Sequence, residues 1–228
     1  MKKKIIALLC VAALCAGVLS GCGKKAEEPA PEKTPAVEQE TAAPEAPAET
    51  IPEDTGIPEP EKTDETKSFE LSLEGQTETV EMTKYVLDMQ HDGISVEIFI
   101  DDALFKCVYF EGEYSIVPID SGENWNNLAH VYYISGQSAD ALAEDALNQA
   151  REGVEATDEG MVKLGDYDAY AVSFKNTTDN SIGCVYYITG DSGTVSAAFN
   201  VNPDDSGFLE GMLPRFEAML KTIFIIKA

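Results

Sequence analysis

The sequence predicts an α+β domain, an antiparallel β-sheet with two packed helices, preceded by a disordered acidic, proline-rich tether. Three observations predict it. Every Phe, Tyr and Trp of the 228 residues lies from Phe69 onward, so the first 68 residues lack the large apolar groups of a core. From Phe69 the apolar pattern alternates with period two in one segment after another, with turn formers between. The helical period intervenes twice, never in the strand–helix–strand alternation that builds a parallel sheet. The globular unit is therefore 69–228, a length that buries roughly 70% of the unfolded surface and needs no metal or disulfide to fold.

In chain order, Phe69 to Glu74 alternates, Gly75-Gln76 turns, and Thr77 to Leu87 alternates again, which predicts an opening hairpin. Ile94 to Ile100 is a strand closing at Asp101-Asp102. Phe105 to Phe110 and Tyr114 to Ile119 are strands around Glu111-Gly112-Glu113, and Val131 to Ile134 is a short strand after a polar loop. Ser138 then caps a helix to about Glu152, with Leu142, Ala146, Leu147 and Ala150 on one face, Asp140 in the first turn and Gly153 as the stop. Ala169 to Lys175, Ile182 to Thr189 and Thr194 to Val201 form an antiparallel meander joined by turn-rich connections. The last helix starts near Asp205 or Ser206 and presents Phe208, Met212, Phe216, Met219 and Leu220 to the core. Pro214 falls within it and predicts a kink or a restart at that residue.

Charge narrows the function. With 41 Asp+Glu against 16 Lys+Arg the chain carries -25, which is the wrong sign for nucleic acid. Residues 69–228 alone hold 28 acids and 8 bases, a field that concentrates cations and basic surfaces.

The first residues say where the chain goes. Met1-Lys2-Lys3-Lys4 and the apolar run Ile5 to Val18 form a secretory signal over 1–21, shorter than the ~20 apolar residues of a membrane span. Leu19-Ser20-Gly21-Cys22 resembles the lipobox of bacterial lipoproteins. That resemblance implies lipidation of Cys22, two acyl chains in a membrane, and a protein anchored on the extracytoplasmic side without spanning. Gly23 stands where an inner-membrane retention signal has Asp, and a single-membrane bacterium is the expected source. Residues 22–68 carry Ala-Pro-Glu and Pro-Glu-Pro runs, hold the domain off the membrane, and place Lys24 and Lys25 against anionic headgroups.

Lys163-Leu164-Gly165-Asp166-Tyr167-Asp168-Ala169-Tyr170, the Tyr186-Tyr187-Ile188 strand with its following hairpin, and Phe216 to Ile223 resemble the second half of the PsbP/Mog-like family. The resemblance covers about 128–226 well and 94–127 loosely. It implies a family core over 93–228, with 69–92 as an N-terminal hairpin addition. It further implies a scaffold used mostly to bind proteins, with no catalytic motif to carry over.

Several constellations invite sharper readings. Gly190-Asp191-Ser192-Gly193 echoes the segment around a chymotrypsin-like serine, and His130 its histidine, but a two-strand connection explains the same residues. A hydrolase is thus the remotest alternative. Cys107 and Cys184 each lie in an apolar Cys-Val-Tyr strand with no flanking base, and read as buried thiols rather than nucleophiles. His91 and His130 are the only imidazoles and have no partner at zinc spacing. Asp101, Asp102, Asn200, Asn202, Asp204 and Asp205 supply clustered oxygens for a hard cation. Asp205, though, stands where a calcium loop needs Gly and Gly211 where it needs Glu, so capping of the last helix is the plainer reading. Trp125 in a polar loop is either a core plug or a contact residue. Tyr132-Tyr133 and Tyr186-Tyr187 each put one ring on either face of a strand, and two of these rings could form an outward patch. No cofactor is expected. The expected function is a non-enzymatic envelope lipoprotein that binds an unidentified protein, with a divalent-cation or small-cation binding module as the alternative.

Overall fold

Alternation along the chain gives eleven strands and two helices among the described residues of the computed structural model, which are 59–227 apart from 74, 92, 123–124, 150–151 and 206–210. The signal, Leu19, Ser20, Gly21, Cys22 and the tether up to residue 58 lie outside them. Four strands form one sheet: β1 (Glu61–Leu73), β2 (Gln76–Asp88), β3 (Ile94–Ile100) and β11 (Phe224–Lys227), in the order β1-β2-β3-β11. Seven form the other: β4 (Phe105–Phe110), β5 (Glu113–Pro118), β6 (Leu128–Ser135), β7 (Val154–Leu164), β8 (Tyr167–Asn176), β9 (Ile182–Thr189) and β10 (Gly193–Val201), ordered β4-β5-β6-β10-β9-β8-β7. Every ladder is antiparallel. The helices are α1 (Ala139–Asn148) and α2 (Met212–Leu220). The architecture is the expected α+β arrangement of antiparallel sheet and two helices, with the strands divided between two sheets.

Because successive strand residues face opposite ways, β10 sorts its side chains between two cores. Val195, Ala197, Phe199 and Val201 join Met82, Val96, Ile98, Ile116, Phe216 and Met219 in the core that unites both sheets with α2. Ala198 instead joins Val172, Val185 and Tyr187 beneath Ala139, Leu142 and Ala143 of α1. One face of the seven-stranded sheet thus meets the four-stranded sheet and α2, and the other meets α1. α2 touches strands of both sheets, β6 and β10 on one side and β1 and β3 on the other.

The structure departs from the sequence expectation in four places. β1 begins at Glu61, eight residues before Phe69, in a stretch whose Lys, Asp, Glu and Thr read as tether. It is an edge strand, and its charges are what an exposed edge requires. The β1–β2 hairpin, expected as an N-terminal addition, is built into the four-stranded sheet: β2 pairs along β3 and its Met82 and Leu87 are fully buried. β7 was missed because it is the other sheet's acidic edge, with a bulge between Asp158 and Gly160 that breaks the alternation. β11, missed through its brevity, pairs with β3.

The helices are shorter than expected. Ser138 occupies the N-cap of α1 in an extended conformation, but its side chain caps no helical N–H. It bonds Asp140 instead, and with the first-turn amides this holds that carboxyl below its ordinary value. α2 starts at Met212 behind Gly211, whose φ of 73° suits glycine, and not at Asp205 or Pro214. Pro214 is its third residue, where no intrahelical partner awaits its missing N–H, so no kink results. Ser206 and Phe208 lie outside the described residues, as does Ala150. Gly165, in the β7–β8 turn, has φ +58° and sits where a Cβ would fall 2.2 Å from the Lys221 carbonyl oxygen, so the end of α2 seats directly on that turn.

Candidate functional site

The acidic candidates are spent on structure. Asp101 is 2% exposed, and its carboxylate accepts a 2.5 Å hydrogen bond from the Arg215 guanidinium of α2. Burial pushes the Asp101 carboxyl up against the pull of that arginine. Arg215 also donates to Glu78 of β2 at 2.9 Å, tying the helix to the four-stranded sheet. Asp102 pairs with Lys62 at 2.5 Å. Burial works to raise its carboxyl, but hydrogen bonds from Lys62 and Thr83 outweigh this and hold it low. Neither carboxylate is offered to a cation.

The Asn200–Asp205 segment is likewise a lattice of internal bonds. The Asn200 amide donates to the Asn126 carbonyl at 2.6 Å, and the Asn202 N–H donates to the Asn127 side chain at 2.6 Å. The Asp204 N–H donates to Asn202, Asn180 donates to Asp204, and Asn126 donates to Asp205 at 2.7 Å. These bonds moor the loop before β6 to the end of β10, and the N–H groups that Asp204 and Asp205 are expected to cap belong to residues 206–210, outside the described residues. Among the described residues no group of three or more His, Cys, Asp and Glu side chains is placed to hold a metal ion.

The aromatic candidates divide by exposure. Trp125 is no core plug: it is half-buried, its indole N–H donates to the Gly122 carbonyl at 3.0 Å, and its ring meets Phe110 edge-on at 5.7 Å. Phe110 is 52% exposed, so the pair is an aromatic feature of the surface that only the structure assembles. Tyr133 and Tyr187 are buried, and Tyr133 shares a 2.9 Å hydrogen bond with Ser192. Tyr132 is half-buried, edge-on to His130 at 5.6 Å. Tyr186 is half-buried on the opposite face of the sheet from Tyr132, so the four tyrosines make no common outward patch.

The protease echo dissolves in the same way. Gly190 donates to the Gly193 carbonyl at 2.7 Å in a tight turn, and a Cβ on Gly193 would lie 2.2 Å from the Ile134 carbonyl oxygen. Asp191 pairs with Lys227. His130 sits beside Glu113 at 3.4 Å, opposite Ala198 and well along β10 from Ser192. Cys107 and Cys184 are both free thiols, in β4 and β9, four strand spacings or roughly 19 Å apart across the sheet. Burial pushes both thiols up, Cys107 to about 12 and Cys184 to about 11, which removes them as nucleophiles.

A groove that the sequence did not disclose lies between α2 and the β7–β10 half of the large sheet. It is an open groove of about 580 Å³, with Glu155 and Glu159 exposed at its rim, and none of its lining comes from the four-stranded sheet. Ala171, Ile182, Phe199 and Leu213 make it apolar, while Glu155, Glu159 and Glu217 bring carboxylates to it. Glu159 is fixed by a 2.6 Å hydrogen bond from Ser173. Cys184 and Tyr186 lie in the floor. Burial first, then the neighbouring Cys184, and last the Glu217 and Glu159 charges push the Tyr186 hydroxyl well above its ordinary value. The sequence signal was the run of acids from Glu155 to Glu159; without β7 there was no reason to set them beside Cys184 and Tyr186.

No family model matches the chain, and no curated protein matches it. It is similar in structure to a protein from Bacteroides thetaiotaomicron VPI-5482 solved at 1.50 Å, with 12% identity and a TM-score of 0.39. The alignment covers 58% of this chain and 45% of that one, so the chain spans under half the length of that protein. A likeness this slight carries no argument about function.

Proposed function

We propose that the protein is a bacterial lipoprotein, held to the extracytoplasmic face of a membrane by acyl chains on Cys22 and carrying a PsbP/Mog-like domain on a disordered tether. In this reading the domain binds a protein of the envelope and turns over no substrate. The supporting observation is the Phe110–Trp125 pair. A half-exposed indole seated on an exposed phenyl ring, in a loop fixed by the Asn126, Asn127, Asn200 and Asn202 bonds, has the rigidity and area of a contact anchor. The anchor and the surface are tested separately. Cys22→Ala should move the protein from the membrane to the soluble fraction. A photo-crosslinker at position 125 should capture one defined envelope protein in living cells, and one at position 163 should not. Equal labelling from both positions would reject the surface.

A second reading, a module for a small cationic ligand, is favoured by the groove. Its carboxylates stand beside apolar walls of ligand-sized volume in a strongly acidic domain.

A further inference from the structure

We propose that the groove between α2 and β7–β10 is a binding site for a small organic cation, a molecule with an ammonium-type head and an apolar body. The inference rests on the second reading above and gives it a place and a ligand class. Three features converge on it.

The first is size and surface. About 580 Å³ lies within the range of pockets that enclose small molecules, and walls such as Ile182, Phe199 and Leu213 reward an apolar body that a bare ion lacks. A calcium or magnesium ion would need about six converging oxygens, whereas these carboxylates are spread along β7 and α2, with no metal-holding group among the described residues.

The second is the charge that faces the groove. Lys163 lines it, but its ammonium is 2.9 Å from Asp168. Lys175 also lines it, across the β7–β8 ladder from Glu155, so three glutamates face two lysines there. Lys221 lies 3.7 Å from Glu217 at the far end of α2. Among the described residues Glu159 has the neutral Ser173 hydroxyl and no basic group as its side-chain partner, so it is the acceptor left for an incoming cation.

The third is the floor. Tyr186 and Cys184 lie beside Glu159 and Glu217, and the negative field of those carboxylates, which adds to burial in disfavouring ionisation of Tyr186 and Cys184, favours a positive guest. An anionic ligand would meet the same field and the excess of acids over the whole domain.

The test is calorimetric titration of the full chain, in detergent, with phenethylamine, phenethyl alcohol and phenylacetate, three probes of one shape and different charge. The expected result is saturable one-site binding of the amine, at least about tenfold tighter than the alcohol, and none of the acid; tenfold corresponds to about 1.4 kcal/mol. Glu159→Gln should weaken the amine by about tenfold, while Lys163→Ala leaves it equal or tighter. Circular dichroism confirms that each variant stays folded, and Glu217→Gln serves as the second variant if Glu159→Gln does not. Saturable, cation-selective binding that ignores both groove variants and is lost in Asp204→Asn/Asp205→Asn would overturn the groove assignment and leave the second reading standing. Absence of saturable binding by the amine, or equal binding of amine and alcohol, would overturn both.

Discussion

The two faces of the seven-stranded sheet are covered in different ways, although the same strands supply both. On one face a second sheet and α2 bring in Phe216, Met212, Met219 and Ile98, all fully buried, together with the enclosed Arg215–Asp101 pair. On the other, one helix of ten residues rests on Ala139, Leu142 and Ala143. A helix that short is not stable alone in water, so α1 persists only through those contacts. Global stability is therefore concentrated on the first face, while the second is a covering that opens locally at lower cost.

The largest expected effect tests the ion pair. Arg215→Met leaves Asp101 buried without its counter-charge and should cost about 3–5 kcal/mol in urea unfolding, with Asp101→Asn/Arg215→Met recovering much of the loss. A loss under about 1 kcal/mol would break the comparison, since the first face would then owe its stability to something else. Phe216→Ala empties a position packed against Phe105 at 5.1 Å and should cost about 3–5 kcal/mol. Leu142→Ala on α1 should cost less, about 2–3 kcal/mol, because the helix can settle onto the sheet. Hydrogen exchange should show α1 amides opening before those of β10, and simultaneous exchange would merge the two faces into one cooperative unit. Acid titration sharpens the periphery. Asp102 is held below its unfolded value, so its contribution is present above about pH 4 and lost as pH falls through the lower folded value. Asp102→Asn should flatten that acid limb by lowering the midpoint at neutral pH, while the midpoint at the acid end stays little changed. The smallest effect belongs to the exposed Lys163–Asp168 pair, where Lys163→Ala should stay within about 0.5 kcal/mol.

Legibility in the sequence followed burial. β3 and β9 have the bounds that their apolar pattern predicts, because each has a face sunk in a core that leaves no second register. The edges β1 and β7 were unreadable because exposed strands carry charge and bulges in place of pattern. Arg215 drew no attention as one base among acids, and only the fold sets it against Asp101, 114 positions earlier. The groove was hidden for the same reason as β7. Trp125 was legible as a singular residue, but its partner Phe110 read as the plain end of a strand.

The pairing of β11 with β3 also bears on how the chain reaches its fold. Phe99 donates its N–H to the Thr222 hydroxyl across 123 positions, Ile225 donates to the Tyr167 hydroxyl, and β11 completes the sheet that β1 opens. Closing loops of that length is slow, since the entropy is lost before the contacts repay it. A ribosome that still holds residues 224–227 therefore withholds the strand that flanks β3. Until those residues are free, the outer edge of β3 stays without its partner and the four-stranded sheet is one strand short.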